Sequence, residues 1–280
     1  MRAVVFRGER PPVVMTNALE DARIARAAPD LECLLVDALG QDELITAGHG
    51  WAEIEHELCV RAAAVLGITE AAVPPEFPLA LADRLRGVGI VLTPDETLFV
   101  ERRRRKTPAE MAGIRRAADV AVSAMREAAA MLREAAIDAD YLSLTGEISD
   151  SIAQLHALVL DAHERACAEV RPGVTGVELY VVACDVFEAA GHPTGRTKPP
   201  GENLREGFYF GLGHGVGLEV HEAPFHDRSG SEALIAGDVI AVEPGTVVPG
   251  VGGSRVEDLL IVTAEGSERS TGTFPYGLAP

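Results

Sequence analysis

Two carboxylates constrain this chain more than any other feature of its sequence. Glu243 stands inside the apolar run VIAVEP, and Glu257 inside SRVEDLLIV. A lone carboxylate among buried strand residues costs on the order of several kcal/mol unless it is paired, protonated or bound to a cation. The segment between them, PGTVVPGVGGS, has the turn chemistry of a hairpin. Two antiparallel strands are therefore expected to bring Glu243 and Glu257 opposite each other on one face. The fold must contain a β-rich part in which something holds both acids.

Just upstream, His214 lies in the glycine-rich stretch GLGHGVG, and His221 follows seven residues later. Glycine beside a histidine lets backbone approach closely and leaves the ring accessible. One imidazole and two carboxylates on one face suit Mn2+, Co2+, Fe2+ or Zn2+. The alternative is two acids neutralised by Arg255 and a histidine satisfied in the core. A dinucleotide-binding loop is less well supported, because G-x-G-x-x-G read from Gly211 meets Val216 at its last glycine.

The first hundred residues alternate β-like runs (VVFRG, VVM, LECLL, GIVLT) with helical ones (WAEIEHELCVRAAAVLG, LALADRLRG), the rhythm of a small α/β domain. The basic run of residues 101–106 is followed by Thr107, Pro108 and Glu110, a capping box with proline at the first helical position. It is expected to be a solvated boundary, which divides the chain into domains 1–104 and 105–280. Helical periodicity then runs from Pro108 to about residue 136, through IAQLHALVLDAHERACAEV, and from the Thr175/Glu178 capping box to Gly191. His49 and His56 are expected as surface or capping residues, and His156 and His163 exposed or half-packed. The four cysteines lack any C-x-x-C pair and are expected as buried thiols. A formal net charge of −18 argues against nucleic acid as a partner. No run nears the roughly 18 apolar residues of a membrane span. The N-terminal stretch is broken by charges and prolines before a signal-peptide core could form, so the expected compartment is the cytoplasm.

GHGVGLEVHEAP, VEPG and RVEDLLIVT, in that order, resemble the pita-bread metallopeptidases, the group of aminopeptidase P, prolidase, creatinase and methionine aminopeptidase. RRRRKTPAEMAGIRRA and RPGVTGVEL resemble the aminopeptidase P and prolidase branch in particular. The resemblance implies an α/β (α+β) chain: a small N-terminal creatinase-like domain, then a pita-bread domain of helices packed on an antiparallel sheet. By that resemblance His214, Glu243 and Glu257 match metal ligands, Glu257 bridging two ions. His221 matches the histidine that assists at the scissile carbonyl, and Arg255 lies beside Glu257 as a substrate-binding residue. The implied cofactor is a divalent metal (Mn, Co, Zn or Fe), the substrate a peptide with an N-terminal Xaa-Pro bond, and the assembly a homodimer.

The family pattern also carries two aspartates, in a D-x-G…D-x-T-R-T type segment between the first of these helices and the GEIS-like stretch. Here Leu132-Arg133-Glu134 runs through IDADYLSLTGE directly into ISDSIAQLH. The pita-bread domain is thus incomplete, internally shortened near 137–148, and Asp138 and Asp140 receive no ligand role. The residues present support at most one metal site. The expected function is a metal-dependent Xaa-Pro exopeptidase; the alternative is a catalytically impaired pseudoenzyme or deletion product that acts as a binding protein. Phe210 stands where prolidase-like members often carry a histidine.

Overall fold

A computed structural model describes residues 3–7, 10–134 and 148–278. Two compact units divide the chain, Met1–Phe99 and Val100–Pro280. Asp138, Asp140 and most of the shortened stretch lie outside the described residues.

In the first unit, β1 (Ala3–Arg7) pairs antiparallel with β2 (Arg10–Thr16). Helix α1 (Ala18–Ala27) then carries the chain to β3 (Glu32–Leu35), which pairs parallel with β2, as parallel strands require a crossover. Asn17 caps α1, its side chain accepting from the Glu20 N–H at 3.0 Å. After α2 (Gln41–Thr46) and α3 (Trp51–Val65), β4 (Glu70–Val73), α4 (Leu79–Gly87) and β5 (Val91–Pro94) repeat the scheme, with β4 and β5 parallel. Four-residue spacing puts Ile54 and Leu58 of α3, and Leu81 and Leu85 of α4, into one core with Met15. The α/β expectation holds, and α1 and β4 are elements beyond those the sequence patterns pick out. His49 is exposed and pairs with Glu53 at 3.0 Å.

The chain continues through α5 (Glu96–Arg104), α6 (Pro108–Glu134), α7 (Asp150–Ala168) and α8 (Gly176–Ala189). Seven strands follow: β6 (Gly213–Gly215), β7 (Glu222–His226), β8 (Val239–Val242), β9 (Gly245–Val248), β10 (Gly252–Arg255), β11 (Asp258–Val262) and β12 (Ser267–Arg269). Five form an antiparallel sheet in the order β12-β11-β8-β6-β7, and β9 pairs with β10. Gly213 lets β6 sit in the middle of the sheet, since a Cβ there would fall 1.9 Å from the Ala241 carbonyl oxygen. Helix α8 turns Leu179, Ala183 and Phe187, all fully buried, toward Phe208, Leu212 and Ile240. Helix α7 packs on α8 through the small residues Ala162 and Ala166. Among the described residues no helix is long and apolar enough to cross a membrane.

Both capping boxes form. Thr107 N–H donates to Glu110 at 2.7 Å while the Glu110 N–H donates to Thr107 Oγ1, and Thr175 and Glu178 do the same at the start of α8. Thr175→Ala is expected to cost about 1 kcal/mol, read as a lower denaturant midpoint with an unchanged slope; an unmoved midpoint would show that α8 is held by packing alone.

Two expectations are corrected here. The basic run is solvated only in part: Arg102, Arg103 and Arg105 are exposed, whereas Arg104 and the Lys106 side chain are not. Arg104 is buried, its guanidinium donating to both carboxylate oxygens of fully buried Asp238 at 2.9 and 2.6 Å and to the Ala233 carbonyl at 2.7 Å. Lys106 is buried against Glu222 at 3.0 Å, and Arg103 reaches Glu219 at 2.8 Å. Arg104 and Lys106 compensate the buried Asp238 and Glu222, which would otherwise lie unpaired, while Arg103–Glu219 is an exposed pair. Nor is His163 half-packed: it has no exposed surface, because small residues of α7 draw the helix onto the sheet and Asp258 lies 3.4 Å from the ring. Of the cysteines, Cys59, Cys167 and Cys184 are buried thiols and Cys33 is half-buried.

Candidate metal and catalytic site

The two carboxylates meet because one antiparallel register passes through a break in the ladder. Asp258 pairs with Val242 on one side of the break and Arg255 with Gly245 on the other. That register sets Glu243, just after β8, across from Glu257, just before β11, as the hairpin reading requires. The Glu243 N–H donates to the Leu212 carbonyl at 2.7 Å, so Glu243 also follows β6, the strand that bears His214.

Neither acid is sealed in the core, which corrects the expectation drawn from their apolar neighbours. Glu243 is half-buried and Glu257 keeps solvent contact, because both stand at strand ends where the ladder opens. Even so, desolvation by the surrounding protein, and then the charge of Glu243, raise the Glu257 carboxyl above the usual range, with His214, Arg255 and His221 pulling the other way.

His214 is buried, with Nδ1 3.1 Å from the Gly215 carbonyl and Nε2 3.4 Å from Glu243 Oε1. Nδ1 therefore donates to that carbonyl, and Nε2 is the ring nitrogen that faces the carboxylate. His221 is exposed, its ring centroid 4.2 Å from that of His214 at 80°. Arg255 donates to Glu243 Oε2 at 3.0 Å and lies over the Phe210 ring, 4.4 Å from its centroid. Its direct partner is therefore Glu243, while Glu257 feels its charge. Phe210 belongs to a chain of rings through Phe208 to Phe187 in the core, so the guanidinium rests on a rigid platform.

Contacts thus join His214, His221, Glu243 and Arg255, and the register sets Glu257 across from Glu243. Among the described residues no group of three or more His, Cys, Asp and Glu side chains is gathered closely enough to hold an ion. The donor chemistry of His214, Glu243 and Glu257 nevertheless suits one divalent ion, with Arg255 supplying positive charge at Glu243. The stacking of Arg255 on Phe210 was not foreseen; an aromatic four residues before a glycine-flanked histidine gives no signal of its partner.

A helix-backed antiparallel sheet brings one histidine and two carboxylates to a ladder break, with a second histidine beside them, and the fold is of the pita-bread kind. Residues 136–264, just under half of the chain, match the model of metallopeptidase family M24. The Xaa-Pro dipeptidase of Pyrococcus horikoshii is 35% identical over 130 residues, 46% of this chain and 34% of that protein. The probable dipeptidase PepE of Mycobacterium tuberculosis is 35% identical over 122 residues, 44% of this chain and 29% of the relative. The matched stretch thus spans about a third of the length of these curated relatives. Among solved structures, the Xaa-Pro dipeptidase from Bacillus anthracis superposes with a TM-score of 0.71 at 21% identity, covering 97% of this chain and 87% of that one. The prolidase from Pyrococcus horikoshii gives 0.68 at 20%, covering 96% and 87%. At such identity these two likenesses speak for the fold.

Proposed function

We propose that this chain is a metal-dependent exopeptidase that hydrolyses N-terminal Xaa-Pro bonds, with residues 1–104 as a creatinase-like domain and 105–280 as the catalytic one. The observation that carries the reading is the convergence of His214, Glu243, Glu257 and His221 at one ladder break. His214, Glu243 and Glu257 would hold one divalent ion, Mn, Co, Zn or Fe. When bound, such an ion lowers the pKa of a coordinated water and polarises the peptide carbonyl. His221 stands at the open side, where its imidazole can hydrogen-bond the scissile carbonyl or move a proton to the departing amine. Arg255, fixed on Phe210, holds Glu243 in place and offers its exposed edge to the substrate. A homodimer and a cytoplasmic location belong to the same proposal and rest on the resemblance alone.

A second reading is a binding protein without turnover. It is favoured by the absence of a closed ligand group among the described residues and by the lack of the two-aspartate segment in the sequence. One experiment separates the two: the purified chain is loaded with Mn2+, its metal content measured, and its cleavage of Xaa-Pro dipeptides followed. The peptidase reading expects bound metal that is lost in Glu257→Ala, and turnover that falls about 10²–10⁴-fold in His221→Ala. Bound peptide without cleavage in the loaded protein would establish the second reading.

A further inference from the structure

Next to the candidate site lies a network of buried and half-buried polar groups that the proposed chemistry does not use. Asp258, directly after Glu257, is 1% exposed. Thr271 donates to its Oδ1 at 2.6 Å, the Tyr276 hydroxyl donates to its Oδ2, and Arg269 Nε lies 3.3 Å away. From α7, His163 Nε2 approaches the same oxygen at 3.4 Å. At the other end of the stretch, His156 of α7 touches Ser254 Oγ at 3.0 Å through Nδ1 and the Tyr276 carbonyl oxygen at 2.6 Å through Nε2.

Tyr276 is common to both ends. Its carbonyl is tied through His156 to Ser254, the neighbour of Arg255; its hydroxyl is tied to Asp258, the neighbour of Glu257. The ladder is broken across residues 256 and 257, so the backbone there lacks regular strand pairing, and the Val256 N–H makes only a long 3.4 Å bond to Pro244. Something outside the ladder must hold it.

We infer that Tyr276 is the positioning residue of the candidate site, clamping both ends of residues 254–258 so that Arg255 and Glu257 keep their places. The inference rests on the proposed role of Glu257 as a ligand. Partners that orient a ligand typically change metal affinity about 10–100-fold when removed. The network also explains why α7 carries two histidines seven residues apart: one serves each end of the stretch.

The test is Tyr276→Phe in the full chain, which keeps the ring and deletes only the hydroxyl, beside Ser254→Ala, which releases the other end. Amide hydrogen exchange is followed residue by residue, and Mn2+ affinity is measured by calorimetry well below the melting temperature. The expected result for Tyr276→Phe is exchange at Val256, Glu257 and Asp258 faster by about tenfold, with β6 and β8 unchanged, and Mn2+ bound about tenfold more weakly. For Ser254→Ala the acceleration is expected at Arg255 and Val256. Unchanged exchange at residues 254–258 overturns the inference. So does acceleration spread evenly over β6 and β8, which would mark Tyr276 as ordinary packing. If the unaltered protein binds no Mn2+, the metal reading fails, while the exchange pattern still decides the role of Tyr276.

Discussion

Replacing Arg104 with methionine is expected to destabilise the protein by about 3–5 kcal/mol, the range for breaking a buried ion pair by removing one partner. Asp238 is fully buried, and its Oδ2 also accepts from the Ile235 N–H at 2.9 Å. That one bond cannot replace the two from the guanidinium. The carboxylate would stay in the protein interior without a counter-charge, and protonating it instead has its own free-energy cost at neutral pH. The double variant Arg104→Met with Asp238→Leu removes both charges and is expected to recover most of the loss. Equilibrium denaturation followed by far-ultraviolet circular dichroism distinguishes the outcomes. A loss below about 1 kcal/mol in the single variant would put the pair in the class of screened surface bridges, contrary to its burial.

Acid is expected to remove about 3 kcal/mol of stability between pH 6.5 and pH 4 through one histidine. His226, in β7, has no exposed surface, and neither ring nitrogen meets hydrogen-bond geometry, the Ala241 carbonyl offering only a weak polar contact. Burial lowers its pKa to about 4, with the charge of His214 adding to the effect. In the unfolded chain the same ring titrates near its ordinary value of 6.5. Above that value neither state binds the proton, and the folded protein keeps its full stability. As the pH falls from 6.5 toward 4 the unfolded state takes up a proton that the folded state refuses. At about 1.4 kcal/mol per pH unit this accumulates to the stated loss. His163, lowered by burial as well, acts in the same direction. His226→Leu should flatten the pH dependence of the denaturation midpoint over this window; an equally steep profile in the variant would assign the acid sensitivity elsewhere.

Sequence patterns revealed the helices best where a local signal closed on itself, as in the capping boxes at Thr107 and Thr175. The candidate site was legible for a related reason: a carboxylate amid strand residues is costly wherever the strand goes, and the hairpin residues between Glu243 and Glu257 dictate who faces whom. Compensation over long range left no such trace. Arg104 and Lys106 look like solvated charge because their partners, Asp238 and Glu222, lie 134 and 116 residues away. His163 resembles any histidine on an amphipathic helix until Asp258 is placed beside it. The apolar neighbours of Glu257 pointed to burial, whereas its solvent contact follows from a ladder break that alternation of residues cannot show.

The register that sets the two carboxylates across from each other is fixed on the sheet side of the break by β8 and β11, while the β9 and β10 ribbon extends beyond it. Its tip, Pro249, Gly250 and Val251, is exposed, and Gly250 is left-handed at φ 79°. Lengthening that tip does not slide residue 243 past residue 257, because the register is already fixed before the chain reaches the turn. The ribbon is thus a place where evolution, or an experimenter inserting a fluorescent or affinity peptide, can add residues close to the site while leaving its two acids face to face.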